Sequence, residues 1–168
     1  QEASSRPTRL GELLALDTDM IGPYGYCADV SRSWTIGHVA PTPHQRDCYL
    51  HALDQVTHNT SLLRAGVSFA EFNAKSWRVP DRFVANSYGL SVHGVGMTDE
   101  YPSLPMHPHF DGSSHDRHDL VFEQGMVVSV ESLIGEEGRG ECVKLETQVV
   151  IGADGVDRLG TFPGEAWG

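Results

Sequence analysis

The alternation of apolar and polar positions predicts a β-hairpin near the start of the chain. In LLALDTDMIGPYGYCADVSRSWTIG, residues 13–37, an apolar run passes through Asp17 and Asp19 to a Gly-Pro-Tyr-Gly turn and returns through Asp29. Alternate residues of a strand share a face, so the two outgoing aspartates are expected to point the same way. A turn centred on Tyr24 would place Asp19 opposite Asp29 across an antiparallel pair.

A second hairpin is predicted in MVVSVESLIGEEGRGECVKLETQVVI, residues 126–151, where two β-branched runs flank a glycine-rich turn. This turn would place Glu131 opposite Glu146, on a face that also carries Ser129, Lys144 and Gln148. Like charges that face each other destabilise a ladder. The pair is therefore either a solvated acidic face or part of a site where protons or cations lie between carboxylates. The chain has two such acidic pairs, each within an alternating apolar pattern, and this favours a site with protons or cations over a solvated face.

The section between the hairpins has helical periodicity. Residues 42–45, Thr-Pro-His-Gln, are typical of a capping box with proline at the first helical position, and the apolar stripe that follows predicts a helix ending near Gly66. Ser68 begins a second predicted helix that ends before Pro80. A third, short helix is predicted from about 81 to 87. The core aromatic residues of this section are predicted to be Phe69, Phe72, Trp77 and Phe83.

A single histidine, His93, lies in a short apolar run, in a strand or loop, beside Gly94 and Gly96. An isolated histidine is more often structural than functional, but glycine neighbours permit a close backbone approach to a site. His93 therefore joins the acidic candidates. The stretch MHPHFDGSSHDRHDL is predicted to be a loop without fixed side chains, and its histidines are His107, His109, His115 and His118.

Composition narrows the classes of function. With 168 residues and 39% apolar content, the chain is expected to form one globular domain. Because it lacks an initial methionine, it is expected to be an internal fragment of a longer protein. No apolar run has membrane-spanning length, and no signal peptide is visible. Three cysteines without C-x-x-C spacing favour a reduced, cytoplasmic setting. A net charge of −11 argues against nucleic-acid binding.

The candidate side chains form an oxygen-rich ligand set. Such a set is more typical of a site for manganese, iron or cobalt than of a zinc site with thiolate ligands. An EF-hand is excluded because Ile21, at the fifth loop position counted from Asp17, offers no oxygen ligand. With bridging carboxylates, six residues can hold two divalent ions. These residues are Asp17, Asp19, Asp29, His93, Glu131 and Glu146.

The order Asp, Asp, His, Glu, Glu in the contexts GYCADVSRSW, VHGVG, VSVES and VKLETQVVI resembles the superfamily of creatinase, aminopeptidase P and methionine aminopeptidase. The resemblance covers about residues 5–163. It implies an α+β pita-bread fold, in which helices pack on the outer face of a curved antiparallel sheet, with the N-terminal part of the fold missing here.

Two departures from the peptidases are informative. Asp17 and Asp19 flank a position where one ligand aspartate is usual, and Asp99 stands where peptidases carry a second histidine. Both departures, with the phrase DTDMIGPYGYCAD, resemble the dimethylsulfoniopropionate lyases of the DddP type. This resemblance implies an iron-dependent homodimer that splits a small sulfonium substrate into dimethyl sulfide and acrylate. It also implies that the six residues named above bind the metal, that Asp99 is the catalytic base and that Tyr88 contacts the substrate.

Two alternatives stay open. One is a metallopeptidase of the aminopeptidase P or prolidase type, and the other is an inactive pita-bread module that binds partners. Six convergent metal donors argue against an inactive module, which has no physical reason to hold them. The native metal also stays open, because this ligand set accepts manganese, zinc or cobalt as well as iron.

Overall fold

The computed structural model describes residues 5–105 and 120–163, which form an α+β arrangement. The predicted loop with His107, His109, His115 and His118 lies outside these ranges. The strands are β1 (Leu13–Leu16), β2 (Met20–Ile21), β3 (Cys27–Ala28), β4 (Arg32–Thr35), β5 (Leu90–Gly94), β6 (Ser103–Pro105), β7 (Val127–Gly135), β8 (Cys142–Ile151) and β9 (Val156–Arg158). The helices are α1 (Pro43–Leu62), α2 (Phe69–Lys75) and α3 (Asp81–Val84).

The main sheet has five antiparallel strands in the order β6-β5-β7-β8-β9. Glu131 of β7 pairs with Glu146 of β8, so the predicted register of the second hairpin is confirmed. His93 of β5 pairs with Ser129 of β7. Since Ser129 and Glu131 are two residues apart on one strand, the imidazole and the two glutamates share a face of the sheet.

The opposite face of the main sheet is apolar and packs against α1, which contacts both β7 and β8. Each fully buried valine or leucine there stabilises the fold by roughly 1.5–3 kcal/mol. Because the helix covers this face, the polar face is left for a site. The buried apolar residues of the two strands are Val128, Val130, Ile134, Val143, Leu145, Val149 and Ile151.

The helices begin where the sequence predicts and end earlier. Thr42 caps α1 through a capping box with Gln45, as predicted, and a cap of this kind contributes about 1 kcal/mol. Ser68 caps α2. Among the helices described, none combines the length and the apolarity needed to cross a bilayer. The predicted core aromatics are confirmed: Phe69, Phe72 and Phe83 are buried, and Trp77 packs against them half-buried.

The first hairpin consists of two short ladders that share one register. Leu16 pairs with Arg32 in the outer ladder, and Met20 pairs with Ala28 in the inner one. Extending this register through the gap sets position 19 opposite position 29. The turn is therefore centred on Tyr24, as predicted.

The ladder is interrupted at the aspartates, so Asp17 and Asp19 do not lie on one regular strand, although both carboxylates approach Asp29. Thr18 Oγ1 replaces the ladder bonds, because it accepts a hydrogen bond from the Val30 N–H (2.9 Å) and donates one to the Ala28 carbonyl (3.1 Å). Asp19 has a φ of +36°, a left-handed value that aspartate tolerates better than most residues. The two carboxylates consequently have different neighbours.

The first hairpin is attached to the edge of β8. The Glu146 N–H donates to the Ser31 carbonyl (3.1 Å). Ser33 Oγ accepts from the Lys144 N–H (3.0 Å) and donates to the Lys144 carbonyl (2.9 Å). Arg32 donates to the Glu146 carbonyl from the same strand. This attachment holds the aspartates of the hairpin over the polar face of the main sheet.

The two glycines that flank the His93 region differ in their surroundings. A Cβ at Gly94 would overlap the backbone carbonyl of Tyr101, whereas a Cβ at Gly96 would meet no heavy atom of the described residues within 4 Å. Gly94 also donates its N–H to the Pro102 carbonyl (2.8 Å). The expected close approach is therefore present at Gly94, and it brings the segment that carries Asp99 against β5.

We expect Gly94→Ala to lower the free energy of unfolding by about 1–3 kcal/mol, because the added methyl group must displace backbone rather than a flexible side chain. Urea denaturation of the intact protein measures the change. Gly96→Ala is the matched control in the same segment, and it should change the free energy by no more than about 0.5 kcal/mol. Equal effects of the two substitutions would contradict the close-approach argument.

Candidate metal centre

The residues singled out in the sequence lie together on the polar face of the main sheet. Potential ligand atoms within 4.8 Å of one another come from four overlapping groups. The groups are His93 with Glu131 and Glu146; Asp17 with Asp29 and Glu146; Asp19 with Asp29 and Asp99; and Asp29 with His93 and Glu100. The fold thus brings all six predicted ligands and the predicted base into one cluster, and it adds Glu100.

His93 lies at the centre of this cluster and is buried. Its Nε2 is 3.0 Å from Glu146 Oε1 and 3.6 Å from both Asp29 Oδ2 and Glu131 Oε1. Burial alone would lower the pKa of His93, but the hydrogen bond with Glu146 and the neighbouring carboxylates raise it to about 9. The imidazole is therefore surrounded by acceptors on the side where Nε2 points.

The two glutamates are buried, so a solvated acidic face is excluded for this pair. Burial raises the pKa of Glu131 to about 8. Burial would also raise the pKa of Glu146, but its hydrogen bond with His93 and the charge of Lys144 lower it to about 2. Burial thus favours the protonated form of Glu131, whereas the contacts of Glu146 with His93 and Lys144 favour its ionised form.

Asp29 is positioned by polar side chains of the main sheet. Ser129 Oγ donates to the Asp29 carbonyl (2.9 Å), and Gln148 Oε1 accepts from the Asp29 N–H (3.4 Å). Burial raises the pKa of Asp29 to about 7, with Glu146 and Asp19 adding to the effect. The polar face predicted from β-alternation therefore anchors the backbone of one candidate ligand in addition to carrying two others.

Lys144 is a member of the cluster that the sequence analysis did not identify as functional. Its Nζ lies 2.7 Å from Glu131 Oε2, 3.2 Å from Asp17 Oδ2 and 3.4 Å from Glu146 Oε2. Burial would lower its pKa, but these carboxylates raise it well above the ordinary value. The sequence pattern could have indicated this role, since Lys144 precedes Glu146 by two residues and so lies on the same strand face.

Ser31 and Glu100 were also missed. Ser31 Oγ is 2.5 Å from Asp17 Oδ1 and 2.7 Å from Glu146 Oε2, so the buried hydroxyl bridges the hairpin and β8. Glu100 is exposed and comes within ligand distance of Asp29 and His93. Neither could be placed from the sequence, because both depend on how the hairpin and the segment after β5 meet the main sheet.

The predicted base and the predicted substrate contact lie next to the cluster. Asp99 Oδ1 is 3.9 Å from His93 Nδ1, and its side chain is 20% exposed, so it joins the buried cluster to solvent. The Tyr88 ring centroid is 5.2 Å from Lys144 Nζ. Burial raises the pKa of Tyr88 to about 12, so its hydroxyl stays protonated at neutral pH.

The cluster fits a divalent metal. Asp29 Oδ1 and Glu131 Oε1 are buried and have no hydrogen-bond partner among the described residues. An unsatisfied buried acceptor costs roughly 1–3 kcal/mol, and more when it is charged. A cation between the carboxylates removes this cost. Imidazole nitrogen and carboxylate oxygen together suit manganese, iron, cobalt or zinc.

Comparison with curated proteins gives two relatives that match this chain over the same number of residues. The "Dimethylsulfoniopropionate lyase DddP" of Roseovarius nubinhibens is 37% identical over 163 residues, which are 97% of this chain and 36% of the relative. The protein of the same name from Roseobacter denitrificans is 36% identical over 163 residues, with the same coverage of 97% and 36%. The chain therefore spans just over a third of the length of these relatives.

Solved structures identify the fold. The X-Pro aminopeptidase from Thermotoga maritima superposes with a TM-score of 0.77 at 22% identity, covering 97% of this chain and 43% of that one. This similarity, with the antiparallel sheet and the helix on its apolar face, identifies the α+β pita-bread fold, as predicted. The model of metallopeptidase family M24 matches residues 1–153. The chain therefore belongs to metallopeptidase family M24, and within it resembles the dimethylsulfoniopropionate lyases of the DddP type.

Proposed function

We propose that this chain supplies the metal-binding and proton-transfer residues of a dimethylsulfoniopropionate lyase. The observation that carries the proposal is the carboxylate of Asp99, which lies 3.9 Å from His93 beside a cluster that fits a divalent metal. The names of the two curated relatives support the substrate. Because the chain spans 36% of each relative, the activity is proposed for the intact protein.

The proposed ligands hold two divalent ions, with iron as the first choice. Unpartnered oxygens on Asp29 and Glu131 support this role, as does the burial of both glutamates. When bound, the metal supplies Lewis acidity that makes the C–H next to the substrate carboxylate more acidic. The full proposed set is Asp17, Asp19, Asp29, His93, Glu131 and Glu146.

The proposed reaction is a β-elimination. Asp99 takes the proton from the carbon next to the substrate carboxylate. The electron pair of that C–H bond forms the carbon–carbon double bond of acrylate, and the C–S bond breaks with its pair on sulfur, which leaves as neutral dimethyl sulfide. The partly exposed side chain of Asp99 can then pass the proton to water.

Tyr88 is proposed to contact the sulfonium group through its ring face. Its ring already lies 5.2 Å from the ammonium group of Lys144, a distance typical of a cation–π contact. Such a contact contributes roughly 0.5–2 kcal/mol. The position of the ring beside the cluster therefore supports its use as a contact for a cationic group.

A homodimer in the cytoplasm is proposed from the same resemblance. A peptidase of the prolidase type is the rival within family M24. Hydrolysis of proline dipeptides faster than cleavage of dimethylsulfoniopropionate would favour it. Failure of the intact protein to bind iron, manganese or zinc would instead favour an inactive binding module.

We expect Asp99→Asn in the intact protein to lower acrylate formation by about 10²–10⁴-fold, the usual contribution of a general base, with metal content unchanged. Chromatography measures acrylate and mass spectrometry measures the metal. Glu146→Gln is the control, and it should lose both metal and activity. Unchanged acrylate formation in the Asp99 variant rules out the base role, and loss of metal makes Asp99 a ligand instead.

We expect Tyr88→Leu to raise the KM for dimethylsulfoniopropionate by about 2–30-fold, the equivalent of the cation–π energy. Tyr88→Phe keeps the ring and should leave the KM within about twofold of the wild-type value. Steady-state kinetics with both variants separates the ring from the hydroxyl. Equal KM values for the leucine variant and the wild type would show that the ring does not contact the substrate.

A further inference from the structure

Lys144 divides the carboxylate oxygens of the cluster into two sets. The set on the Lys144 side already has partners, because Asp17 Oδ2, Glu131 Oε2 and Glu146 Oε2 all lie within 3.4 Å of Nζ. Ser31 Oγ contacts the same side through Asp17 Oδ1 and Glu146 Oε2. Both oxygens of Asp17 are therefore engaged by groups of the protein.

The set on the His93 side is different. Glu131 Oε1 and Asp29 Oδ1 have no hydrogen-bond partner in the described part of the chain. Glu146 Oε1 lies 3.0 Å from the imidazole Nε2 of His93. A metal ion on the His93 side meets two unpartnered oxygens and replaces the hydrogen bond between His93 and Glu146. One that binds through Asp17 must displace an ammonium group or a hydroxyl from both oxygens of that carboxylate.

We propose that Lys144 is a tethered cation that competes with metal for the Asp17 side of the cluster, so that the His93 side fills first and more tightly. This inference rests on the metal site of the proposed function and does not depend on the substrate. It makes Lys144 a positioning residue that sets the order and the relative affinity of metal binding.

The physical basis is competition between like charges. Like charges a few ångströms apart in a partly desolvated site repel each other, and a divalent ion doubles the repulsion that a monovalent ion would meet. The ammonium group of Lys144 is buried, and three carboxylates compensate for its lost hydration. Breaking these contacts without replacing them would cost free energy. A metal on the Asp17 side must therefore move Nζ, and the flexible lysine stem permits that movement.

The ring of Tyr88 is a destination for the displaced ammonium group. The ring centroid already lies 5.2 Å from Nζ, so a small movement keeps the cation over an aromatic face.

The test is titration of the metal-stripped intact protein with Mn²⁺ alone, followed by calorimetry and by electron paramagnetic resonance of the bound ion. We expect two affinity classes in the wild type. Lys144→Met keeps much of the side-chain volume and removes the charge, so the weaker class should tighten by about tenfold while the tighter class changes by less than about threefold. Weakening of both classes, or no change in either, would overturn the proposal.

Two control variants isolate the charge. Lys144→Arg keeps a positive charge and should leave the weaker class weak. Lys75→Met removes an exposed lysine that pairs with Glu71 at 2.7 Å, and it should change neither class. If arginine and methionine at position 144 tighten the weaker class equally, the effect comes from shape and the competition is absent.

Asp17→Asn gives an independent test should Lys144→Met fail to fold. Asp17 is one-third exposed and its amide variant has the same shape, so the fold should tolerate it. We expect the weaker Mn²⁺ class to disappear and the tighter class to remain, and loss of the tighter class would overturn the proposal. All these readouts are independent of acrylate formation, so an inactive protein with two unequal Mn²⁺ classes would refute the lyase and leave the role of Lys144 intact.

Discussion

The structure depends on one attachment, between Ser31 of the first hairpin and Glu146 of β8. The backbone of Ser31 accepts the Glu146 N–H, and its hydroxyl contacts the Glu146 side chain. One residue thus fixes both the main chain and the carboxylate of its partner. Without this attachment, Asp17 and Asp29 would belong to a separate hairpin, and the two glutamates would keep His93 as a neighbour but lose the aspartates.

The same attachment creates the electrostatic problem that defines the site. Several carboxylates lie in a largely desolvated space, and two basic side chains, Lys144 and His93, contact both glutamates. Burial, with the charge of the neighbouring carboxylates, raises the pKa of Glu131 to about 8 and that of Asp29 to about 7, which favours their protonated forms. Protons and metal ions therefore compete for the same carboxylates, as expected for a metal site, whose ligands release protons when the metal binds.

Much of this arrangement could be predicted from the sequence, because it depends on local rules. The period of two in β7 and β8 sets Glu131 opposite Glu146, and the Thr42 capping box sets the start of α1. The register of the first hairpin follows from its turn. The break in the ladder at Asp17 and Asp19 could not be predicted, because it depends on side-chain bonds of Thr18 that alternation does not encode. Lys144, Ser31 and Glu100 join the cluster through contacts between distant segments.

The interruption at Thr18 has a consequence for protein engineering. In a regular strand, two aspartates separated by one residue project in parallel and serve a single point. Here the broken ladder sends Asp17 toward Lys144 and Asp19 toward Asp99, so one short segment reaches both ends of the cluster. Grafting the two aspartates onto an ideal hairpin would therefore not reproduce the site. The transferable unit is the whole Asp-Thr-Asp segment, including the threonine hydroxyl and the left-handed backbone of Asp19.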